Sequence, residues 1–358
     1  MQYHRLLATT ALALALLASE ASAGSNSFFI TQTGSADSAS ASQTGTSNTL
    51  GTSPAPFQQN GDADTLEANQ YGNFNIIQTS GTTGLQSGIQ DTATITQGSA
   101  ADPSSYAQAT LTQKGDYESA GITQNGTASA ISYNAASITQ TYSTDYDTAT
   151  ISQDGNDGAG INSASILQHN NTQTDAEITQ AGGGSDTASI DQSGDYTHAS
   201  ITQSGDANTA STTQQGNRDS ADTTQSGNQN TATILELNDD ESASILQSGS
   251  QGIASIVQSG NFDSASITQS GIANNAMLLQ SGNHDLASII QSGSNNFASL
   301  MQSGNFNEGS ISQSGTNDSA TLTQNGDHNT ASITQTGASN AINVAQNGSN
   351  GHVTVIQH

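Results

Sequence analysis

The chain has 358 residues, a formal net charge of −27 and no cysteine, and only 4% of its residues are aromatic. The acidic excess disfavours binding to nucleic acid or to anionic lipid, because both are polyanions. Without cysteine, neither disulfides nor thiolate metal sites can hold the fold, so backbone hydrogen bonds and packing must do so.

The first residues have the layout of a secretory signal peptide. His4 and Arg5 precede an apolar run over residues 6–17, and three small residues follow at 21–23. The apolar run is shorter than the roughly 20 residues that a membrane span needs. We therefore expect residues 1–23 to be a cleaved signal peptide and the remaining chain to be exported without membrane insertion.

Within residues 24–191, glutamine recurs from Gln32 to Gln140 with a period of 27 that divides into intervals of 11 and 16, and looser repeats follow up to Gln192. The positions that begin each period are Gln32, Gln59, Gln86, Gln113 and Gln140, and the intervening positions are Gln43, Gln70, Gln97 and Gln124. Only the second interval is long. The sequence therefore predicts irregular repeats in which one of two turns holds five extra residues.

Residues 192–358 repeat every eleven residues. Glutamine begins each repeat at Gln192, Gln203, Gln214, Gln225, Gln247, Gln258, Gln269, Gln280, Gln291, Gln302, Gln313, Gln324, Gln335, Gln346 and Gln357, and Glu236 occupies the remaining slot. Glycine follows two residues later, as at Gly260, Gly271, Gly282, Gly293 and Gly304. Glycine at that place predicts a turn with a positive φ angle.

The second half of each repeat alternates apolar and polar residues, as strands do. In residues 258–269, Ala265 and Ile267 share one face with Gln269, and the intervening Ser and Thr residues face the other way. Ile289 and Ile333 occupy the same inward slot as Ile267. Each repeat is therefore predicted to be a strand of about six residues and a turn of about five residues.

Matching positions are more alike in every second repeat than in successive repeats. One rung of the fold should therefore contain two strands and two turns. The sequence predicts an all-β chain, a two-sheet β-solenoid of about fourteen rungs with amyloid-like stacking. The inward Gln residues, together with Asn274, Asn296 and Asn340, should form side-chain ladders rather than a ligand site, since they recur at every strand and converge on no pocket.

One turn carries acidic residues on successive rungs: Asp219, Glu241, Asp263 and Asp285. Like charges about 5 Å apart repel each other. Two interpretations follow, carboxylates that splay into water or a weak calcium site, and the sequence favours the first. If the carboxylates do not splay, acid or divalent cations should favour assembly.

The neighbouring column of the same turn alternates Phe262, His284, Phe306 and His328. Because the two histidines lie two rungs apart, roughly 10 Å, a stacked aromatic column is favoured over a metal site. No nucleophile elbow, phosphate loop or His and carboxylate set at metal-ligand spacing is present in the sequence, so neither an enzyme nor a cofactor is predicted.

Two segments carry a resemblance to a known family. Residues 269–280 read Gln-Ser-Gly-Ile-Ala-Asn-Asn-Ala-Met-Leu-Leu-Gln, and residues 291–302 read Gln-Ser-Gly-Ser-Asn-Asn-Phe-Ala-Ser-Leu-Met-Gln. Their Gln, Gly, Asn and Ala spacing resembles the curlin repeat of bacterial curli subunits, although Asp263 and Asp285 stand in the slot of its leading Ser. The resemblance implies a secreted subunit of amyloid fibres at the bacterial surface, which serve adhesion and biofilm matrix. It also implies a nucleator subunit and an outer-membrane secretion pore as partners.

The first and last repeats show no atypical capping sequence. Phe28 and Ile30 already occupy inward slots, and so do Val353 and Val355. Solenoids that stay monomeric normally carry caps at exposed strand edges. We therefore expect end-to-end self-assembly into a homopolymer. The alternative is a monomeric solenoid whose outward Ser and Thr residues bind ice or act as a surface adhesin.

Overall fold

The computed structural model describes residues 4–8, 26–33, 35–51, 56–78, 86–98, 104–126, 133–141, 146–155 and 161–358. Every helix or strand in these ranges is a β-strand, which confirms the predicted all-β class. No described segment forms a helix long and apolar enough to cross a membrane. The predicted signal peptide lies outside the described residues except for five of them, which form the first strand.

The structure divides into two compact units, residues 1–193 and 194–358. The strands of the first unit are β1 His4–Ala8, β2 Ser27–Gln32, β3 Ser38–Thr46, β4 Thr49–Leu50, β5 Phe57–Gln59, β6 Thr65–Asn73, β7 Ile76–Gln78, β8 Thr92–Gln97, β9 Ser104–Ser105, β10 Gln108–Lys114, β11 Ser119–Asn125, β12 Tyr133–Thr141, β13 Thr148–Gly155, β14 Ile161–His169, β15 Asp175–Gly182 and β16 Thr187–Gln192. One sheet has the order β1-β2-β4-β7-β10-β12-β14-β16, with β5 also on β2, and the other has the order β3-β6-β8-β11-β13-β15, with β9 on β6.

The second unit is more regular. Its strands are β17 His198–Ser204, β18 Thr209–Gln214, β19 Ser220–Asn228, β20 Thr231–Glu236, β21 Ser242–Ser250, β22 Ile253–Gln258, β23 Ser264–Ile272, β24 Asn275–Asn283, β25 Leu286–Ser294, β26 Phe297–Asn305, β27 Glu308–Thr316, β28 Ser319–Asn325, β29 Thr330–Ala338, β30 Ala341–Asn347 and β31 His352–Gln357. Even-numbered strands from β18 to β30 form one sheet, which we call the even sheet, and odd-numbered strands from β17 to β31 form the other, the odd sheet.

Strand pairing is parallel and places like residues beside each other. In the first unit Gln32 pairs with Gln59, and in the second unit Gln258 pairs with Gln280, so each glutamine meets its equivalent one full rung later. Successive strands of the second unit alternate between the two sheets. This arrangement confirms the predicted two-sheet β-solenoid, in which one rung contributes one strand to each sheet.

The described flanks of the insertion in the first irregular rung both belong to a strand and not to a turn. Leu50 pairs with Phe28 and Phe57 pairs with Ile30, so both flanks of the insertion pair with the same strand, β2. The prediction of a long turn is therefore wrong for this rung. Pro56, directly before β5, is not part of a strand, in keeping with proline's lack of an N–H to donate to a ladder. The central residues of this insertion, 52–55, lie outside the described residues.

The core is a thin layer between the two sheets. Ala265 and Ile267 are 3% and 1% exposed, and Ala287 and Ile289 repeat the pair one rung later at 1% and 0%. Alternate residues of each strand point outwards, which gives the period-two burial pattern along the strands. A rung therefore buries one small and one large aliphatic side chain from each strand, as the sequence predicted.

The turn glycines are required for close approach more than for their φ angles. Gly271, Gly293 and Gly304 have φ angles of 104°, 97° and 114°, whereas Gly260 and Gly282 are not among the residues with positive φ. A Cβ atom on Gly282 would lie 1.5 Å from the carbonyl oxygen of Gly304 in the next rung. Glycine is thus needed because successive backbones meet at this point of the turn.

The non-glycine residue with positive φ in the regular turns lies two positions after the glycine. Phe262, Ala273, His284, Asn295 and Phe306 have φ angles of 61°, 55°, 59°, 56° and 56°. A left-handed conformation costs a non-glycine residue roughly 1 kcal/mol. Hydrogen bonding to the preceding rung offsets this strain, since the N–H of His284 donates to the carbonyl of Asn261 at 2.9 Å.

We expect the Gly282→Ala substitution to destabilise the second unit by more than about 2 kcal/mol, because the new methyl group would push two backbones apart. Gly121→Ala, on β11 of the first unit, is the control for adding a methyl group where there is room, since the nearest atom to its Cβ, Thr150 Oγ1, lies at an ordinary 3.8 Å. Denaturant unfolding followed by circular dichroism measures both. Equal shifts of the unfolding midpoint in the two variants would contradict the close-approach explanation.

Candidate functional site

The inward glutamines form hydrogen-bonded columns along the solenoid axis, which we call the amide ladders. Gln269 shows the pattern: its Nε2 donates to Gln291 Oε1 at 2.8 Å, and its Oε1 accepts from Gln247 Nε2 at 2.8 Å. The second N–H of the same amide donates across the core to the carbonyl of Ile253 at 2.9 Å. A glutamine with these contacts joins its own rung to the next rung and one sheet to the other.

One ladder runs through the odd sheet of the second unit and a second ladder runs through the even sheet. Their members include the predicted ladder residues Gln258, Gln269, Gln280, Gln291, Gln302, Gln313, Gln324 and Gln335, which are 0–2% exposed. In every link between these residues the Nε2 belongs to the earlier glutamine and the Oε1 to the later one. The ladders are therefore polar, with donors directed towards the carboxy-terminal rung.

Asparagines in the turn make a second column. Asn274 Oδ1 accepts the backbone N–H of Asn296 at 3.1 Å, and Asn274 Nδ2 donates to the carbonyls of Ser270 and Gly293. Asn296 repeats this set one rung later, and its Oδ1 accepts the backbone N–H of Asp318. Asn340 donates its own backbone N–H to Asp318 Oδ1 at 2.9 Å. Asparagine satisfies this position fully because it offers both an acceptor and two donors.

The acidic column, defined as Asp219, Glu241, Asp263 and Asp285, points into the turn and not into water. All four residues are 1% exposed. Asp263 Oδ1 accepts the backbone N–H of Asp285 at 2.9 Å, and Asp285 Oδ1 accepts that of Asn307 at 2.8 Å. The expectation that these carboxylates splay into water is therefore wrong, because the column occupies the structural place that asparagine fills in the other turn.

Burial raises the pKa of every carboxyl group in the acidic column. The pKa is raised to about 7 for Asp219, to about 8 for Glu241, to about 7 for Asp263 and to about 6 for Asp285, and desolvation is the main cause in each case. Backbone N–H donors oppose the effect. The second oxygens of Asp263 and Asp285 are buried without a hydrogen-bond partner, as expected for an acid in a slot that suits an amide.

The first unit has an equivalent acidic column that the sequence reasoning missed. Asp64 Oδ1 accepts the backbone N–H of Asp91, and Asp91 Oδ1 accepts that of Glu118. Burial raises the pKa of Asp64 to about 6 and that of Asp91 to about 7. The available signal was the same as in the second unit, an acidic residue at the start of a strand that ends in a ladder glutamine.

One rung interrupts the amide ladder of the even sheet. Gln214 Nε2 donates to Glu236 Oε2 at 2.7 Å, but a carboxylate has no N–H to pass on. Glu236 Oε1 and Gln258 Oε1 are both buried without a hydrogen-bond partner. The sequence marked Glu236 as an exception to the glutamine register, but not the chemical consequence for its neighbour.

The aromatic column, Phe262, His284, Phe306 and His328, stacks along the axis as the sequence predicted. Successive ring centroids are 4.8, 4.8 and 5.0 Å apart. The rings lie outside the core, with Phe262 and Phe306 each 51% exposed. Within the described ranges no group of three or more His, Cys, Asp or Glu residues could hold a metal ion. The column therefore supports the turn by ring stacking.

The comparison with protein families gives one match. The model of the curlin-associated repeat matches residues 205–235, 263–293, 271–304, 293–326 and 304–337, all in the second unit. No curated protein matches the chain. The matched segments contain ladder glutamines such as Gln269 and Gln291 and turn glycines such as Gly271 and Gly293, so the matched repeat corresponds to the strand and turn of this solenoid.

The raised pKa values predict that the second unit loses stability as pH rises from about 4 to about 8. Unfolded carboxyl groups ionise near pH 4, whereas the acidic column holds its protons to about pH 6–8. Their stabilising contribution is therefore complete below pH 4 and is lost as pH passes the folded pKa values. Denaturant unfolding at a series of pH values measures this slope.

A triple variant, Asp219→Asn, Glu241→Gln and Asp263→Asn, should flatten the pH dependence. The matched control removes three charges at exposed positions of the same unit, through Asp206→Asn, Asp222→Asn and Glu308→Gln. If both triple variants changed the slope equally, general charge repulsion and not the buried column would explain it.

Proposed function

The chain carries repeats of the curlin family, and on that premise we propose that it is a secreted structural subunit that assembles end to end into curli-like amyloid fibres. Such fibres would lie at the bacterial cell surface and serve cell adhesion and biofilm matrix. A nucleator subunit and an outer-membrane secretion pore are the partners that the family implies. The proposal assigns the chain no catalytic role.

The observation that carries the proposal is that every stabilising column acts between rungs. Amide ladders, asparagine contacts and backbone pairing each join one rung to the next in the same register. A single rung buries too little apolar surface to offset the ordering of its backbone. Stability therefore rises with the number of stacked rungs. A rung from a second chain can make the same contacts as a rung from the same chain.

The last rung of the second unit has inward groups that a further rung would cover. Val353 and Val355 are half-buried, whereas Ile333, one rung earlier, is 0% exposed. Gln346 Nε2 donates to the carbonyl of Thr330, which leaves its second N–H for an acceptor beyond. At the other end of the ladders, Gln32 and Gln43 donate to Gln59 and Gln70, and their Oε1 atoms can accept from a further rung once signal-peptide cleavage removes β1 from its place beside β2. The polarity of the ladders favours head-to-tail addition.

The alternative function, a monomeric rod with a regular hydroxyl face, has less support. Outward serines hydrogen-bond to each other between rungs, as Ser266 does with Ser288 at 3.2 Å. Exposed apolar residues such as Ile290 and Met301 interrupt the outward columns. A surface that binds ice or another ordered ligand requires a more regular array of free hydroxyls.

We expect the purified chain to form fibres with a meridional X-ray reflection near roughly 4.7 to 4.8 Å. Val355→Lys should slow elongation at least tenfold, because it places a charge on the inward face of the last rung. Ile356→Lys is the matched control, since Ile356 is the next residue but points outwards and is 61% exposed. Elongation is measured by light scattering with preformed seeds.

A chain that stays monomeric under near-physiological conditions would contradict the proposed function. Equal elongation of the two lysine variants would contradict addition at this edge, even if fibres form.

A further inference from the structure

The outer face of the even sheet in the second unit carries no ionisable side chain. Seven strands contribute to it, from β18 to β30, and their outward residues are Ser, Thr, Asn, Ala or apolar. The odd sheet differs, because Asp222 and Glu308 lie exposed on its outer face. In a chain with a net charge of −27, one broad face is thus free of the repulsion that keeps copies apart.

An apolar cluster lies at the middle of this uncharged face. Four residues at one outward slot pair in register along β20, β22, β24 and β26: Leu235, Val257, Leu279 and Met301. Three more apolar residues lie beside them and are substantially exposed: Ile253 at 49%, Met277 at 46% and Phe297 at 40%. A cluster of this kind marks an interaction surface more often than a solvated sheet face.

We propose that this face pairs side by side with the same face of a second copy of the chain. Two copies can approach there without bringing carboxylates together, whereas a basic partner would be drawn to the acidic turns instead. Seven strands at about 4.8 Å spacing and six residues at about 3.3 Å present roughly 650 Å², close to the roughly 800 Å² per partner of a typical stable interface. The pairing needs no end-to-end stacking and is independent of the proposed function.

The arrangement makes a positional prediction. Met277 is the middle one of the three outward residues of β24 that precede its ladder glutamine, and β24 is the middle strand of the seven. When a face pairs with itself about a two-fold axis, the residue at its centre meets its own counterpart. Met277 of one copy should therefore lie close to Met277 of the other.

Single cysteines test this directly, because the natural chain has none. Met277→Cys should give a covalent dimer with a short thiol cross-linker, and adding Met301→Lys should reduce the yield at least fivefold. Ile290→Cys is the control, since Ile290 is 48% exposed on the odd sheet. End-to-end stacking alone leaves the Met277→Cys thiols many rungs apart. Equal yields from the two cysteine variants, or no dimer from Met277→Cys, would overturn the proposal.

A second inference rests on a different observation, the interrupted ladder at Glu236. Glu236 and Gln258 are register partners on neighbouring strands, and the Oε1 atoms of both are buried without a hydrogen-bond partner. Neither oxygen has a donor, and a single proton carried by one of them would give both a hydrogen bond. We infer that Glu236 is a neutral carboxylic acid whose hydroxyl donates to Gln258 Oε1 and so closes the ladder.

The surroundings support the neutral form. The ionisable groups that act on Glu236 are Asp219 and Glu241, both acidic, and Gln214 is its neutral hydrogen-bond partner. Arg218 pairs with Asp240 instead. Burial raises the pKa of Glu236 to about 9. The link between β20 and β22 therefore weakens as pH rises towards that value, when two unprotonated oxygens face each other.

Carbon-13 NMR of the chain labelled at glutamate carboxyl groups tests the protonation state, with Glu236→Gln assigning the signal. We expect the Glu236 carboxyl to keep the shift of a neutral acid at pH 7 and to titrate above pH 7. Hydrogen exchange of β22 amides at pH 10 should be at least tenfold slower in Glu236→Gln than in the natural chain. A carboxylate shift at pH 6, or equal exchange in both proteins, would overturn the inference.

Discussion

Buried amide groups need hydrogen-bond partners, and in this fold the partners come from the adjacent rungs. A glutamine such as Gln302 lies at 0% exposure between two thin sheets, where an unmade hydrogen bond costs roughly 1 to 3 kcal/mol. Its Nε2 donates to Gln324, its Oε1 accepts from Gln280, and its second N–H reaches the opposite sheet. The rung spacing, the strand register and the close turns at glycine bring these groups within hydrogen-bond distance.

The same requirement explains why asparagine suits the buried slot of the turn better than an ionised acid does. Asn296 makes three side-chain hydrogen bonds to the backbone in its turn, whereas Asp285 leaves one of its oxygens buried without a partner. Acidic residues therefore fit the slot best when protonated. Other acids, such as Asp206 and Glu308, lie exposed on a turn and on the odd sheet, so the even sheet keeps an uncharged outer face.

Much of the fold could be predicted because the same residues recur at each position of the repeat, and their recurrence indicates the strand register. The period of two repeats indicated which glutamines pair, and the alternation around Ile267 indicated which face is buried. The acidic column could not be placed from charge alone, because its inward direction depends on a backbone N–H that the next rung supplies. The turn position with a positive φ angle could not be identified from the sequence either, since its residues, such as Phe262 and Ala273, have little intrinsic preference for positive φ.

The core is also less uniform than the period implies. Thr212 and Thr223 replace the usual aliphatic residue with hydroxyls that are buried without a partner, so the first rungs of the second unit are less apolar than the later ones. The ladder amides still hold these rungs in register. Gln225 Oε1 accepts from Gln203 Nε2, and Gln225 Nε2 donates to Gln247 Oε1, both at 2.8 Å.

The most direct test of the account is the stability of a chain in which one ladder amide is removed without changing its shape. Gln280→Met keeps the length of the side chain but deprives Gln258 Nε2, Gln302 Oε1 and the carbonyl of Ser264 of their partners. We predict that the free energy of unfolding of the second unit falls by about 3 kcal/mol or more, while Gln251→Met at an exposed position changes it by less than about 0.5 kcal/mol. A Gln280→Met variant as stable as the natural chain would contradict the claim that the amide ladders hold the solenoid together.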